Sequence, residues 1–451
     1  MIARNIFSNW AALLLTALLS LILTPVLIHS LGNFYFGLWM LVGSVVGHYG
    51  LLDMGMRAGL FRFAARFRGA CERKALNQTL VSAVAVAAGI AIVVLALTVV
   101  LILLLPGFFR LGPAERTTFR WVLLLLGAGT AFMFPARMLG TYLSSMQRFD
   151  LYSLGEISTN ALRTALIVFV LYLGYSIVGV SAITLLSGVV LLALYALMVR
   201  RADPEVQLDP KLFDWSRVRE LASFSMYAFA ASLGDYLRFS TDNMVISRVL
   251  MVEMVTPFSI PSRIVQYVQQ MIVALGAPIN ARLNELDGQG KLEEMRHLFL
   301  RATRLTTVLT TMACVLLLVH GSGLIRFWVG DLPNAYPVMT ILVIGAWAEL
   351  SQHPTLLVML SRSRHRTLAA LTMVEGLVNL GLSVYWARVF GRADMAHGLI
   401  GVALGTTVPM VVIRMFVQPA FALRALEMTL GRYLREALLR PAILGAILYG
   451  V

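Results

Sequence analysis

Apolar runs of about 18–25 residues recur along the chain, each long enough to cross a hydrocarbon core about 30 Å thick, with short polar stretches between them. They predict spans at residues 7–30, 36–56, 81–105, 121–142, 157–173 and 177–199, then at 221–247, 255–275, 305–324, 336–360, 368–390 and 399–421. Barrel strands would instead alternate with period two over about ten residues. A last apolar run at 441–451 is too short to cross. The basic, amphipathic stretch before it, 422–440, reads as lying at the membrane interface. The pattern is that of an all-α integral membrane protein of about twelve transmembrane helices plus a partial C-terminal apolar segment.

The polar stretches divide the chain. The longest, Arg200–Glu220, follows the sixth span and reads as a cytoplasmic linker at 201–220. It separates an N-terminal six-helix bundle at 1–200 from a second at 221–421, leaving 422–451 as interfacial segment and partial span. A faint repeat supports two pseudo-symmetric halves. Thr24-Pro25-Val26-Leu27-Ile28 followed by Leu31-Gly32 is similar to Thr241-Asp242-Asn243-Met244-Val245-Ile246 followed by Val249-Leu250, as parallel repeats in a transporter would be.

Composition agrees: 59% of the 451 residues are hydrophobic and 13% charged, against about 25% charged in soluble domains. The net charge of +14 comes mostly from arginines in loops on one side of the membrane. By the positive-inside rule that side is the cytoplasm, which places the amino terminus there and makes nucleic acid an unneeded partner. Arginine outnumbers lysine (only Lys74, Lys211 and Lys291), which suits phosphate recognition and equally a GC-rich genome. Cys71 and Cys314 fall in a loop and a span and are not expected to bond. The first apolar run is too long for a signal-peptide core.

Charges inside spans are the informative residues, because each costs at least about 2.5–3.5 kcal/mol at the bilayer centre. They are Arg137, Arg163, Arg238 and Arg263, with Asp235, Asp242, Glu349 and Glu375. Helical spacing sets several on polar stripes: Thr130, Arg137, Thr141, Ser144 and Arg148; Glu156, Asn160 and Arg163; Ser259, Arg263, Gln266 and Gln270; and Ser44 with His48. Such stripes imply a hydrated cavity, in which the arginines bind an anion and the acids balance charge or take up a coupling cation. The alternative is helix glue, Asp242 pairing with Arg263 or Asp235 with Arg238. His48 and His353 read as satisfied polar positions before proton relays, and Gly398–Gly405 as small-residue helix contacts. No Walker loop, HExxH or Cys/His metal spacing is present, so no cofactor, metal or enzyme chemistry is expected, and ion or substrate gradients must supply any drive.

Asn5-Ile6-Phe7-Ser8-Asn9-Trp10, Thr24-Pro25, Leu31-Gly32, Phe36-Gly37-Leu38-Trp39 and Leu51-Leu52-Asp53-Met54-Gly55-Met56 together resemble the opening of Wzx-type polysaccharide (O-antigen) flippases. Gln147-Arg148-Phe149-Asp150 and Thr241-Asp242-Asn243 are similar too. These flippases belong to the multidrug/oligosaccharidyl-lipid/polysaccharide (MOP) exporter superfamily. The resemblance implies two six-helix bundles around a cavity open to one side at a time. It implies export of a polyprenyl-diphosphate-linked glycan across the bacterial cytoplasmic (inner) membrane for lipopolysaccharide and other surface polysaccharides. Coupling H+ or Na+ and a glycan polymerase are the partners it suggests. Relatives often have fourteen spans. A cation-coupled multidrug exporter is the alternative within the superfamily; a membrane glycan polymerase or ligase would need a larger outer loop than 106–120.

Overall fold

The computed structural model describes residues 2–53, 55–109, 111–222 and 241–438, and the side chains in these ranges apart from 2–14, 277 and 365. Among the described residues every regular element is helical. The chain forms two compact units, Met1–Ser232 and Leu233–Val451.

The first unit holds α1 (Ile2–Gly47), α2 (Met56–Gly69), α3 (Arg73–Phe108), α4 (Pro113–Ser145), α5 (Phe149–Tyr172) and α6 (Ile177–Ala202). The first predicted span and most of the second are in α1, which continues into a 3-10 turn at His48–Asp53. The 46 residues of α1 would run about 69 Å if straight, more than twice the hydrocarbon thickness. Gly32 breaks it, at φ 77° and ψ 169°, a conformation that costs glycine little and other residues much. α4 packs between α3 and α6, and α1 packs on α5.

The stretch between the predicted spans 36–56 and 81–105 begins with α2, an amphipathic helix. Leu60, Phe63, Ala64 and Phe67 are buried, while Arg57, Arg62, Arg66 and Arg68 are exposed. Arg217 stacks on Phe67 at 4.8 Å, and Ser82 exchanges hydrogen bonds with the backbone of Asp214, tying the linker to α2 and α3. Hydropathy marks only lipid-length apolar runs, so a fourteen-residue amphipathic helix passes as a loop.

The second unit holds α7 (Asp242–Val249), α8 (Val255–Ala274), α9 (Gly276–Gly288), α10 (Leu292–Val329), α11 (Ala335–Ser351), α12 (His353–Ser361), α13 (His365–Gly391), α14 (Met395–Val412), α15 (Gln418–Ala425) and α16 (Leu430–Tyr433). A π-turn, Ile413–Val417, joins α14 to α15. The predicted span 336–360 is two helices that part at Gln352, just ahead of Pro354, where proline disfavours helical continuation. α13 and α14 pack along their lengths, and α11 contacts α8, α10 and α14.

The segment predicted to lie at the interface, 422–440, is anchored on protein over its described part. Ala422, Leu423, Leu426, Tyr433 and Ala437 are buried with Leu283, Leu286, Met295, Phe299, Leu357 and Val358. Arg296 donates to the carbonyls of Leu426 and Glu427, and Arg304 to that of Glu436. The opposite face keeps Leu430 and Leu434 exposed.

Nine helices among the described residues are long and apolar enough to cross a membrane. They carry ten of the twelve predicted spans, because the first two are continuous. The eighth forms as α8, but its polar residues hold it below that apolarity. Most of the seventh, 221–247, lies outside the described residues.

Candidate functional site

In the first unit the predicted charges meet at two tyrosines. Tyr195 of α6 stacks on Tyr152 of α5, with centroids 6.0 Å apart and planes 9° from parallel. Its hydroxyl donates to the Tyr152 carbonyl at 2.9 Å and reaches Glu156 Oε1 at 3.3 Å. Glycine makes room for the ring on both sides. A Cβ on Gly140 of α4 would stand 2.8 Å from Cε2, and one on Gly155 of α5 2.3 Å from Cε1. Arg137, one turn before Gly140, is exposed and within electrostatic reach of both rings; Arg57, ion-paired to Asp53 at 2.8 Å, is within reach of Tyr152.

Arg137 of α4 and Glu156 of α5 thus lie around the same two rings. Arg163 and Asn160 are half-buried on the Glu156 face of α5. His48 bonds the Ser44 carbonyl through Nδ1 at 2.7 Å, within its own helix.

In the second unit Asp242 begins α7 and is buried. Thr406 of α14 donates to its Oδ2 at 2.9 Å; Oδ1 is also buried, with no hydrogen bond of good geometry to it among the described residues. Ser383 of α13 is close by, donating to Asn379 Oδ1 at 3.2 Å and to the Val402 carbonyl at 3.4 Å. Close backbone approach brings these groups together, since a Cβ on Gly405 would lie 2.5 Å from Ser383 N. The result is a cluster of oxygens from α7, α13 and α14 around one carboxylate.

The alternative pairing of Asp242 with Arg263 is not formed: Arg263 engages Tyr267, one turn along α8, and among the described residues no cation forms an ion pair with Asp242. Asp235 and Arg238 lie outside the described residues.

Two further acids have partners that sequence reasoning missed. Glu349 accepts from Gln269 Nε2 at 2.9 Å, whereas Gln266 and Gln270 of the predicted stripe are exposed. Glu375 is ion-paired at 2.9 Å with Arg414, near the end of the predicted span 399–421. Arg414 is buried in the π-turn. Helical periodicity, which places residues by steps of 3.6, does not anticipate that break. Among the described residues no three His, Cys, Asp or Glu side chains gather as a metal site.

The model of a family described as polysaccharide biosynthesis proteins matches residues 2–279, more than half of the chain. The chain belongs to this polysaccharide biosynthesis protein family. No curated protein matches it. Among solved structures, it is similar to the inward-facing conformation of a multidrug resistance MATE family transporter of the MOP superfamily (TM-score 0.74, 16% identity, covering 92% of this chain and 94% of that one). The outward-facing conformation of such a transporter matches at TM-score 0.59 and 16% identity, over 93% and 96%. A MOP superfamily transporter from Pyrococcus furiosus, whose binding pocket is described as reversed in polarity, matches at 0.55 and 15%, over 94% of each chain. Identities this low show the fold alone. This member of the polysaccharide biosynthesis family is thus a multi-pass membrane protein with the fold of MOP-superfamily transporters.

Proposed function

We propose that this protein flips a polyprenyl-diphosphate-linked oligosaccharide from the inner to the outer leaflet of the bacterial cytoplasmic membrane, by alternating access, for surface polysaccharide biosynthesis. The observation that carries the reading is Arg137. It is a guanidinium inside a spanning helix, exposed beside Tyr152, Tyr195 and Glu156, with Arg163 on the neighbouring helix. A planar cationic fork is suited to a diphosphate, and aromatic rings with a polar edge suit the sugar that follows it. The lipid tail stays in the bilayer, and a glycan polymerase receives the product.

Two mechanisms supply drive. Two negative charges leaving a cell at about 100 mV, interior negative, gain roughly 4–5 kcal/mol from the field. The Asp242 cluster adds a place for a coupling cation, H+ or Na+. Its carboxylate accepts from Thr406 and has Ser383 close by, itself bonded to Asn379 and the Val402 carbonyl, the donor types with which transporters hold small cations near broken helices.

The test is reconstitution in proteoliposomes with a fluorescent polyprenyl-diphosphate disaccharide. The expected result is flipping that is lost in Arg137→Ala/Arg163→Ala; unchanged flipping removes the arginines from the site. The second reading, a cation-coupled multidrug exporter, has in its favour the fold shared with MATE transporters. It predicts that deleting the gene raises drug susceptibility and leaves surface polysaccharide intact.

A further inference from the structure

The Glu375–Arg414 ion pair is more deeply buried than any other in the described molecule, with side chains 1% and 4% exposed. Polar groups close around it. Arg414 Nη1 donates to Gln418 Oε1 at 2.6 Å; Gln418 Nε2 donates to Thr355 Oγ1 at 2.5 Å and to the Gln352 carbonyl at 3.3 Å; Tyr433 donates to Gln352 Oε1 at 2.5 Å. All six side chains are buried. An apolar pair of similar volume is commonly at least as stable as a buried ion pair, so stability alone does not account for it.

Its location is informative. Arg414 lies in the π-turn Ile413–Val417, one turn after Pro409, and π-turns concentrate at functional sites. Before the turn, α14 is locked to α13. A Cβ on Gly398 would meet Gly391 Cα at 3.1 Å, one on Gly401 the Trp386 backbone at 2.7 Å, and one on Gly405 Ser383 N at 2.5 Å. Helices in backbone contact move as one body. After the turn, α15 and α16 belong to the apolar cluster built with α9, α10 and α12, which α13 touches only near its start, through Leu368 and Leu371. Arg414 thus stands in the π-turn between the two groups of helices, paired with Glu375 of one and bonded to Gln418 of the other. The same α13–α14 body carries the Asp242 cluster: Asn379 and Ser383 follow Glu375 at steps of four, and Thr406 precedes Arg414 by eight.

We propose that Glu375 and Arg414 are positioning residues for transport, a latch through which the charge state of Asp242 sets the angle between the α13–α14 body and the α12–α15–α16 cluster. The proposal rests on the reading of Asp242 as the coupling-cation site. An occupant that neutralises Asp242 draws Thr406 and Ser383 inward and shifts α13–α14 together, and Arg414 carries the shift across the π-turn.

A double-mutant cycle tests it, with flipping of a fluorescent polyprenyl-diphosphate disaccharide in proteoliposomes as readout. Asp242→Asn is expected to slow flipping at least about tenfold in the parent and less than about twofold in Glu375→Gln/Arg414→Met, whose pair is uncharged. The same tenfold loss in both backgrounds overturns the latch and leaves the cation site standing. An Asp242→Asn protein that flips at the parent rate overturns the cation site and the latch with it. Should the uncharged double variant fail to fold, Arg414→Lys serves, because an ammonium cannot hold Glu375 and Gln418 together as a fork does. It is expected to weaken the Asp242 effect, and an undiminished tenfold effect there also overturns the latch.

Discussion

One guanidinium nitrogen of Arg73 reaches both carboxylate oxygens of Asp203, at 3.0 and 2.9 Å, joining the start of α3 to the end of α6. Tyr142, at the end of α4, donates to the same carboxylate at 2.8 Å. The carboxylate is 3% exposed, and Arg68 of α2 lies 3.9 Å from it, so four helices meet at one buried anion. Asp203→Ala leaves Arg73 without its main counter-charge and the buried Tyr142 hydroxyl without its acceptor, and the stranded hydroxyl is expected to cost about 1–3 kcal/mol. Glu205→Ala, which removes an exposed partner of the same arginine, should cost less than about 1 kcal/mol. Thermal unfolding of the two variants in detergent checks the difference.

The tyrosine slot in the first unit makes a steric prediction. Gly155→Ala places a methyl 2.3 Å from Tyr195 Cε1, and Gly140 on the other side prevents the ring from retreating. Overpacking of this kind costs about 1–3 kcal/mol. Tyr195→Phe keeps the ring and loses only its hydrogen bonds, about 1 kcal/mol. If Gly155→Ala melts with the parent while Tyr195→Phe does not, the slot is looser than described.

At the Asp242 cluster, Thr406→Val removes a hydroxyl donor and conserves volume. Flipping in Thr406→Val proteoliposomes is expected to need a several-fold higher Na+ or H+ concentration for half-maximal rate, with the maximal rate little changed. A change in maximal rate alone would place Thr406 outside the cation's coordination.

Acid should loosen the edge of the second unit that faces the loops. A hydrogen bond from Arg282 holds the Glu285 carboxyl below the ordinary range, and one from Arg296 does the same for Glu293. Folded values below the unfolded ones mean that the contribution is complete above the ordinary carboxylate range and is lost as pH falls through the folded values. Both carboxylates are exposed, so the effect should be modest and shrink in high salt. Melting temperature against pH, compared with Glu285→Gln/Glu293→Gln, should show a shallower acid limb in the variant.

Legibility tracked the physics of each feature. Long apolar runs announced spans because lipid demands about twenty apolar residues, and that demand is local. The short helices α2, α9 and α12 escaped notice, being amphipathic or broken by Pro354 rather than lipid-length. Intramembrane charges stood out singly as expensive residues, yet their partners did not. Gln269 rather than Gln266 or Gln270 meets Glu349, and Arg414 reaches Glu375 only through a π-turn that no periodic pattern foresees.

The sequence by itself thus determined the solvent this protein folds in, the helical class and the residues too costly to be idle, since hydrophobicity and charge are properties of single residues and short windows. Which acid faces which base was decided only by tertiary structure. That choice depends on helix packing through glycine contacts such as Gly405 against Ser383 and on the break at Ile413–Val417, which set geometry between residues far apart in the chain.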